Sequence, residues 1–167
     1  MRNWEIRPEQ AGDEQPIAAL ITDAFATMPY SDGSEPELVG QLRMDGDLSL
    51  SLVAAQRGTA IIGHVGFSPV GIDGISDGWF QLAPLSVLPR HQRCGIGSAL
   101  IEAGVAALRG AGACGIGVLG DPAYYERFGF TRYEGLGPGG PHGEYYRWLV
   151  LEGEAPKGEV SFAPAFG

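Results

Sequence analysis

The order of its segments predicts a mixed α/β fold for this chain of 167 residues. Short alternating segments, which are typical of strands, are interspersed with segments whose apolar residues recur at helical spacing. Near the centre, a strand, a loop and a helix follow one another over residues 79–109. Because 44% of the residues are hydrophobic, the chain can build one domain with a substantial core.

The first half of the chain predicts a strand, two helices and three further strands. Asp13 is the predicted N-cap of the first helix, whose apolar residues recur at i, i+3, i+4 and i+7 from Ile17. A turn at Gly58 is expected to separate two of the strands. The predicted segments are a strand at residues 4–7, helices at 13–26 and 37–44, and strands at 48–56, 60–70 and 79–87.

Two prolines add information about the central and later segments. Pro84 lies within the strand at 79–87, and since proline has no N–H to donate, a bulge or an unpaired edge is expected there. Asp121 followed by Pro122 is a strong start signal for a short helix. The other predicted segments are a loop at 89–97, a helix at 98–109, strands at 116–119, 130–133 and 145–151, and a tail of little regular structure after Glu152.

The charge of the chain excludes two classes of partner. It has 20 acidic and 11 basic residues, which gives a net charge of −9. Nucleic acids and anionic membranes are bound by basic patches, so neither is an expected partner, whereas cationic small molecules are attracted. No apolar run approaches the roughly 20 residues of a membrane span, and the N-terminus lacks a signal-peptide core. The cytoplasm is therefore the expected location.

The loop between the central strand and helix has the composition of an anion site. A helix N-terminus leaves N–H groups unpaired and carries partial positive charge. Gly95 and Gly97 have no side chains to keep a diphosphate from those groups. Arg93 adds a cation and Ser98 a hydroxyl. The alternative interpretation is an ordinary tight turn between a strand and a helix.

Several other site motifs are absent from the sequence. A Rossmann fingerprint needs a third glycine where Leu100 stands, and a Walker loop needs a Gly-Lys pair, whereas the only lysine is Lys157. Two cysteines, Cys94 and Cys114, are too few for a disulfide framework or a cysteine-rich zinc site. No metal is therefore expected.

Three segments, in this order, resemble the motifs of the GNAT N-acetyltransferase superfamily. Residues 92–97, Gln-Arg-Cys-Gly-Ile-Gly, match its Gln/Arg-x-x-Gly-x-Gly/Ala signature. Residues 84–89 resemble its cofactor strand, and residues 120–130, Gly-Asp-Pro-Ala-Tyr-Tyr-Glu-Arg-Phe-Gly-Phe, resemble its second motif. The resemblance covers about residues 1–150 as a single N-acetyltransferase domain and leaves 151–167 as a C-terminal tail. The second motif is most similar to a bacterial branch whose acceptor is unassigned.

The resemblance implies both a fold and a cofactor. The fold is a central mixed, mostly antiparallel twisted sheet that is flanked by helices and splayed at the cofactor strand. The implied donor is acetyl-CoA, whose pantetheine arm and thioester carbonyl are expected on the backbone of Leu85 and Val87. Its pyrophosphate is expected on the backbone N–H groups of Arg93, Cys94, Gly95, Ile96, Gly97 and Ser98.

Acetyl transfer to an amine needs a proton donor for the departing thiolate and an acceptor for the proton of the amine. Tyr125 occupies the general-acid position of the family, and a tyrosine hydroxyl is ordinarily protonated at pH 7. The adjacent Tyr124 points about 100° away on a helix, so a packing role is expected for it. For Tyr125 the alternative is that its ring also packs in the core.

The sequence leaves the base open. Some family members use a glutamate on the cofactor strand, where this chain has Gln81, and an amide cannot accept the proton. The candidates are His64, His142 and Glu144, together with a chain of waters that leads to solvent.

The leading interpretation is an acetyl-CoA-dependent N-acetyltransferase that acetylates a primary amine of a small molecule or peptide by direct attack in a ternary complex. A non-catalytic acyl-CoA-binding or sensing module is the alternative, which the missing strand glutamate favours; transfer of a longer acyl group is a third. Covalent catalysis by Cys94 is not expected, because the pyrophosphate loop lies far from the thioester. Phe162 and Phe166 on the short tail predict packing on the domain or on a second copy. Because many members of the family pair through sheet edges or C-terminal segments, the resemblance favours a homodimer.

Overall fold

The structure is a computed structural model that describes residues 2–29, 31–57, 60–141 and 143–167. The predicted turn at Gly58 and the candidate base His142 lie outside the described residues. The chain forms two compact units. The first comprises Met1–Phe67 and Ala83–Gly104, and the second comprises Ser68–Leu82 and Val105–Gly167.

The described residues form helices and strands in an order close to the predicted one. The α-helices are α1 (Glu14–Phe25), α2 (Glu35–Asp45), α3 (Ile96–Gly110) and α4 (Pro122–Glu126). The strands are β1 (Trp4–Pro8), β2 (Leu50–Gln56), β3 (Ile61–Pro69), β4 (Gly71–Ile72), β5 (Trp79–Val87), β6 (Gly115–Leu119), β7 (Leu136–Gly137), β8 (Tyr146–Val150) and β9 (Gly158–Ser161). None of the helices in the described ranges is long and apolar enough to cross a membrane.

In the first unit, strands β1, β2, β3 and the second half of β5 are neighbours in that order. The pairs β1–β2 and β2–β3 are antiparallel, with Val53 opposite His64. The start of α3 packs closely on this sheet: a Cβ atom at Gly63 would lie 2.8 Å from Ile96 Cγ2. The predicted apolar stripe of α1 is buried at Ile17, Leu20, Ile21 and Ala24.

In the second unit, the first half of β5 pairs with β6, and β6 pairs with β8. The β5–β6 pair is parallel and covers Trp79–Gln81, whereas the β6–β8 pair is antiparallel. The tail strand β9 pairs antiparallel with β4 and parallel with β7. The ring centroid of Phe162 in the tail lies 5.7 Å from that of Tyr146, so part of the tail is covered by this unit.

The predicted fold class is confirmed: the protein is mixed α/β, with a mostly antiparallel sheet flanked by helices. Three local predictions were wrong. Helix α3 begins at Ile96, inside the predicted loop, and the predicted strand at 130–133 is a single bridge between Thr131 and Trp148. The tail, which was predicted to have little regular structure, contains strand β9. Its partners β4 and β7 are only two residues long each, and strands this short leave no clear pattern in the sequence.

Candidate active site

The loop before α3 presents backbone N–H groups in the way that an anion site requires. The first hydrogen bond of the helix runs from the N–H of Ala99 to the carbonyl of Gly95, at 3.0 Å. The N–H groups of residues 96–98 therefore precede the helical ladder. They point out of the positive end of a helix of 15 residues.

Two residues of the loop have left-handed backbone conformations, which is a feature of anion-binding turns. Arg93 has φ of 62° and Gly95 has φ of 84°, both in the left-handed region. Successive N–H groups on such a backbone form a concave nest that binds anions. A positive φ is uncommon for an arginine and is costly without compensation. The loop residues Arg93, Cys94 and Gly95 are exposed, and nothing lies within 4 Å of the Cβ position of Gly95.

The end of β5 connects this loop to the strand that was predicted to hold the pantetheine arm. The side-chain amide of Gln92 donates to the carbonyl of Val87 at 3.2 Å. The N–H of Leu88 donates to the carbonyl of Ile62 on β3 at 3.0 Å. Because successive residues of an extended chain direct their backbone groups to opposite edges, those of Val87 point away from β3. The structure thus brings Leu85, Val87 and the loop together as one continuous segment of the first unit.

The peptide bond between Ala83 and Pro84 is cis, and Pro84 is buried. The recorded register of β5 with β6 ends at the pair Gln81–Gly117. The predicted interruption of pairing near Pro84 therefore agrees with the extent of this register.

Tyr125 lies in the second unit on α4, a helix that begins as the sequence predicts. The side chain of Asp121 accepts a hydrogen bond from the N–H of Ala123 at 3.1 Å. The ring of Tyr125 is half-buried and meets Phe130 edge-on, with centroids 5.9 Å apart. A Cβ atom at Gly120 would lie 2.7 Å from Tyr125 Cε2, so the absence of a side chain at Gly120 allows the ring its place.

The neighbouring Tyr124 has different surroundings. Its ring meets Phe128 at 5.5 Å between centroids, and the Arg127 guanidinium lies 5.1 Å from the Tyr124 ring. The two tyrosine rings are themselves nearly perpendicular, at an angle of 85°. They therefore belong to different sets of contacts, as expected for adjacent helical positions.

The candidate bases and the Gln81 position differ in burial and in hydrogen bonding. Gln81 is buried, and its Oε1 atom has no hydrogen-bond partner among the described residues. Glu144 is exposed, and its backbone carbonyl accepts from Arg147 at 2.7 Å. His64 is fully buried on β3, and burial, reinforced by the cationic Arg43 and opposed by Glu9, lowers the pKa of His64 to about 4.

The hydrogen-bond partners of His64 were not predicted from the sequence. Its Nε2 atom lies 2.9 Å from Ser51 Oγ, which donates at 2.7 Å to Glu9, and Glu9 accepts two hydrogen bonds from Arg43 at 2.9 Å each. These residues come from separate elements, and no local pattern in the sequence links them.

The two cysteines are free thiols in different surroundings. Cys94 is exposed, with Sγ 3.5 Å from the carbonyl oxygen of Gln92, and Cys114 is half-buried beside Gly78. The described part of the chain contains no group of three or more His, Cys, Asp or Glu side chains that could hold a metal ion.

The fold and the loop define a class of protein: a mixed α/β protein in which strand β5 leads into helix α3 through a left-handed turn with N–H groups that precede the helical hydrogen bonds. Residues 48–132, about half of the chain, match the family model described as an acetyltransferase (GNAT) domain. The chain belongs to the GNAT family of acetyltransferases. The predicted family and the predicted enzyme class, an acyltransferase, are thereby confirmed.

Similar proteins of known sequence or structure support this family assignment. The chain is 39% identical over 117 residues to the uncharacterized N-acetyltransferase YhbS of Escherichia coli K12, which covers 70% of each chain. It is similar to a GNAT acetyltransferase from Brucella melitensis solved with acetyl-CoA, with 41% identity, a TM-score of 0.89 and complete coverage of both chains. The structure of YhbS from Escherichia coli, solved with CoA, has 30% identity and a TM-score of 0.85 and covers 99% of this chain and 93% of that one.

Proposed function

We propose that this protein is an acetyl-CoA-dependent N-acetyltransferase that acetylates a primary amine of a small molecule or peptide. The observation that carries the proposal is the left-handed turn at Arg93 and Gly95, which opens backbone N–H groups at the start of α3. Two similar proteins, at 41% and 30% identity, were solved with acetyl-CoA and CoA. A diphosphate fits this loop because the N–H groups and Arg93 together offer donors and positive charge.

The loop at residues 93–98 and strand β5 bind different parts of the donor. The pyrophosphate is held by backbone N–H groups of residues 93–98. The amide-bearing arm lies along β5, where Leu85 and Val87 offer backbone groups in the manner of an added strand. Because backbone groups make these contacts, the affinity depends on the conformation of the loop more than on its side chains.

Tyr125 supplies the proton for the departing thiolate. A thiol has an ordinary pKa near 8.5 and an alkyl amine one near 10, so the amine must lose a proton while the thiolate gains one. Direct attack in a ternary complex needs no enzyme nucleophile, which agrees with the surroundings of Cys94 and Cys114. The net charge of −9 favours a cationic acceptor, and a cytoplasmic location belongs to the same proposal.

A non-catalytic acyl-CoA sensor is the second candidate, and Gln81 is the observation that favours it. Its buried amide stands on the strand where the resemblance places the glutamate that some family members use, and an amide cannot act as a base. Such a module would bind the donor through the same loop and release no CoA.

The test combines binding and turnover. Calorimetric titration with acetyl-CoA should show saturable binding, and a panel of primary amines should elicit release of CoA. A bulky side chain in Gly97→Leu should abolish binding while the melting temperature is retained. Binding without release of CoA to any amine would favour the sensor. Unchanged affinity in a folded Gly97→Leu variant would overturn the placement of the pyrophosphate.

A further inference from the structure

A line of polar side chains crosses the sheet of the first unit. Glu9 follows β1, and its N–H donates to the carbonyl of Ser51 on β2 at 2.9 Å. Ser51 lies opposite Gly66 on β3, and His64 is two residues before Gly66. Diagonal neighbours on adjacent strands share a face, so Ser51 and His64 meet on one side of the sheet. Ser51 Oγ is 2.7 Å from Glu9 Oε1 and 2.9 Å from His64 Nε2.

The line determines which nitrogen of His64 carries the proton. The Arg43 guanidinium and the Ser51 hydroxyl keep the pKa of Glu9 below its usual value despite partial burial, so Glu9 is a carboxylate that only accepts hydrogen bonds. Ser51 therefore donates its proton to Glu9, and its oxygen accepts from His64. His64 is then neutral, with the proton on Nε2 and a lone pair on Nδ1.

His64 Nδ1 and Ser86 Oγ are the two buried polar side-chain atoms of the first unit that have no hydrogen-bond partner among the described residues. His64 is 0% exposed, and its Nδ1 atom has no hydrogen-bond partner among the described residues. Its ring carbon Cε1, bonded to Nδ1, lies 3.6 Å from the Cβ position of Gly66. The same position is 3.2 Å from the carbonyl oxygen of Ala83 on β5. Because Cε1 is bonded to both ring nitrogens, this contact places the His64 ring as a whole beside the strand that leads to Leu85.

We propose that His64 accepts the proton released by the acceptor amine, and that Glu9 and Ser51 are positioning residues that hold its tautomer. This inference rests on the proposed acetyl transfer. As the new C–N bond forms and the thiolate leaves, the amine nitrogen loses a proton through a bridging water to His64 Nδ1. The imidazolium formed donates from Nε2 to Ser51, which donates to Glu9. After the amide product leaves, Nδ1 returns its proton to water.

The charges that face His64 suit this role. Glu9 favours the imidazolium through Ser51, whereas burial and Arg43 disfavour it. The ring is consequently neutral and ready to accept at pH 7. A weak base suffices, because the acidity of the nitrogen-bound proton rises steeply once the nitrogen is acylated, and the positive charge exists only briefly. The buried Gln81, in contrast, has no proton-accepting nitrogen.

The first test compares three serine variants. Ser51→Ala should lower kcat at least about ten-fold, a part of the roughly 10²–10⁴-fold that a general base contributes, with the KM for acetyl-CoA changed less than about two-fold. Ser51→Thr keeps the hydroxyl and should restore most of kcat. Ser68→Ala is the matched control, because it removes a buried hydroxyl that has no hydrogen-bond partner among the described residues. A lower melting temperature of Ser51→Ala with unchanged kcat would show a purely structural role and overturn the proposal.

A second variant tests the approach to Nδ1 without touching the hydrogen bonds. Gly66→Ala places a methyl group between the His64 ring and the Ala83 carbonyl. It should lower kcat by a similar factor while the hydrogen bonds of Ser51 remain. An unchanged kcat in folded Gly66→Ala would contradict proton transfer along this path.

A third measurement does not depend on turnover. The ¹⁵N chemical shifts of His64 should report a neutral ring protonated on Nε2 at pH 7, and Ser51→Ala should lose this preference. A ring protonated on Nδ1 in the wild type would overturn the proposal whatever the activity. If the wild type binds acetyl-CoA but acetylates no amine, the proposed function fails, and that result is distinguishable from a tautomer that differs from the expected one.

Discussion

Two adjacent tyrosines on α4 differ in what their rings contact, and the difference bears on their roles. Tyr124 packs on Phe128 under the Arg127 guanidinium, which is a set of contacts typical of a structural ring. Tyr125 packs through its ring edge on Phe130 and over Gly120. The ring of Tyr125 can pack while its hydroxyl has a separate function. A phenylalanine at position 125 would preserve the ring packing and remove only the hydroxyl.

Tyr125→Phe should lower turnover with acetyl-CoA and an accepted amine by about 10²–10⁴-fold, the usual range for loss of a general acid. Affinity for acetyl-CoA should change little, because the phosphates are proposed to bind backbone groups of another segment, residues 93–98. Tyr124→Phe is the matched control and should retain turnover. Near wild-type turnover in Tyr125→Phe, or selective damage in Tyr124→Phe, would contradict the assignment. Parallel loss of activity and melting temperature in both would show that they are core residues.

The buried His64 makes stability depend on pH. Its pKa is lowered from 6.5 to about 4, so the unfolded chain binds a proton below pH 6.5 that the folded protein excludes. The free energy of unfolding should therefore fall as pH decreases from 6.5 to about 4, by roughly 3 kcal/mol in total. Glu9 and Asp13 have lowered pKa values and lose their contributions only in more acidic solution, below about pH 4.5.

Urea unfolding at several pH values between 7 and 5 measures this slope. His64→Gln removes the titrating ring, so its free energy of unfolding should vary much less over that range, although its absolute stability is lower. A slope that persists unchanged in His64→Gln would assign the acid sensitivity to other groups.

At the scale of elements, the β5–loop–α3 segment combines a cofactor motif with an unfavourable backbone conformation. Arg93 has φ of 62°, which favours glycine. Arg93→Gly should keep the loop conformation and relieve this cost, so that the melting temperature stays the same or rises. Loss of the cation should weaken acetyl-CoA binding about ten-fold, the equivalent of about 1.4 kcal/mol.

Calorimetry and a melting curve measured on Arg93→Gly together check this prediction. Arg90→Gln is a suitable control, since Arg90 is an exposed cation of the preceding turn, Pro89–His91, outside the proposed phosphate contacts. If affinity falls equally in both variants, general charge rather than the position of Arg93 determines binding.

Helices whose start or apolar stripe depends on neighbouring residues could be predicted from the sequence. The stripe of α1 and the Asp121–Pro122 start of α4 depend on residues within one or two turns, and both predictions are confirmed. Asp13 takes the predicted N-cap place, but its carboxylate accepts from Arg7 at 2.7 Å and from the N–H of Gln10 rather than from the helix. A salt bridge to another element thus replaced the local cap, which no spacing rule can show.

At the scale of the whole molecule, the apolar C-terminal tail bears on the oligomeric state. Phe162 packs on Tyr146, and Ala163 is 5% exposed, so the second unit covers part of the apolar tail. The sequence-based expectation of a homodimer stays a prediction. Sedimentation velocity at high micromolar concentration should show a dimer, and a species of monomer mass alone would contradict it. Phe166→Ser, at a half-buried tail position, should weaken such a dimer if the tail contributes to it.

The sequence by itself determined the fold class, the family and the loop that is proposed to bind the donor, because periodicity, caps and the Gly-x-Gly motif are local properties. Tertiary structure alone decided the surroundings of His64. Glu9 and Ser51 are 42 positions apart and Ser51 and His64 are 13 apart, and only the register of β1, β2 and β3 brings them onto one face. A shift of one residue would turn each side chain to the opposite face. For the same reason residues 130–133 and the tail took a different structure from the one predicted: strands exist only where a partner lies alongside.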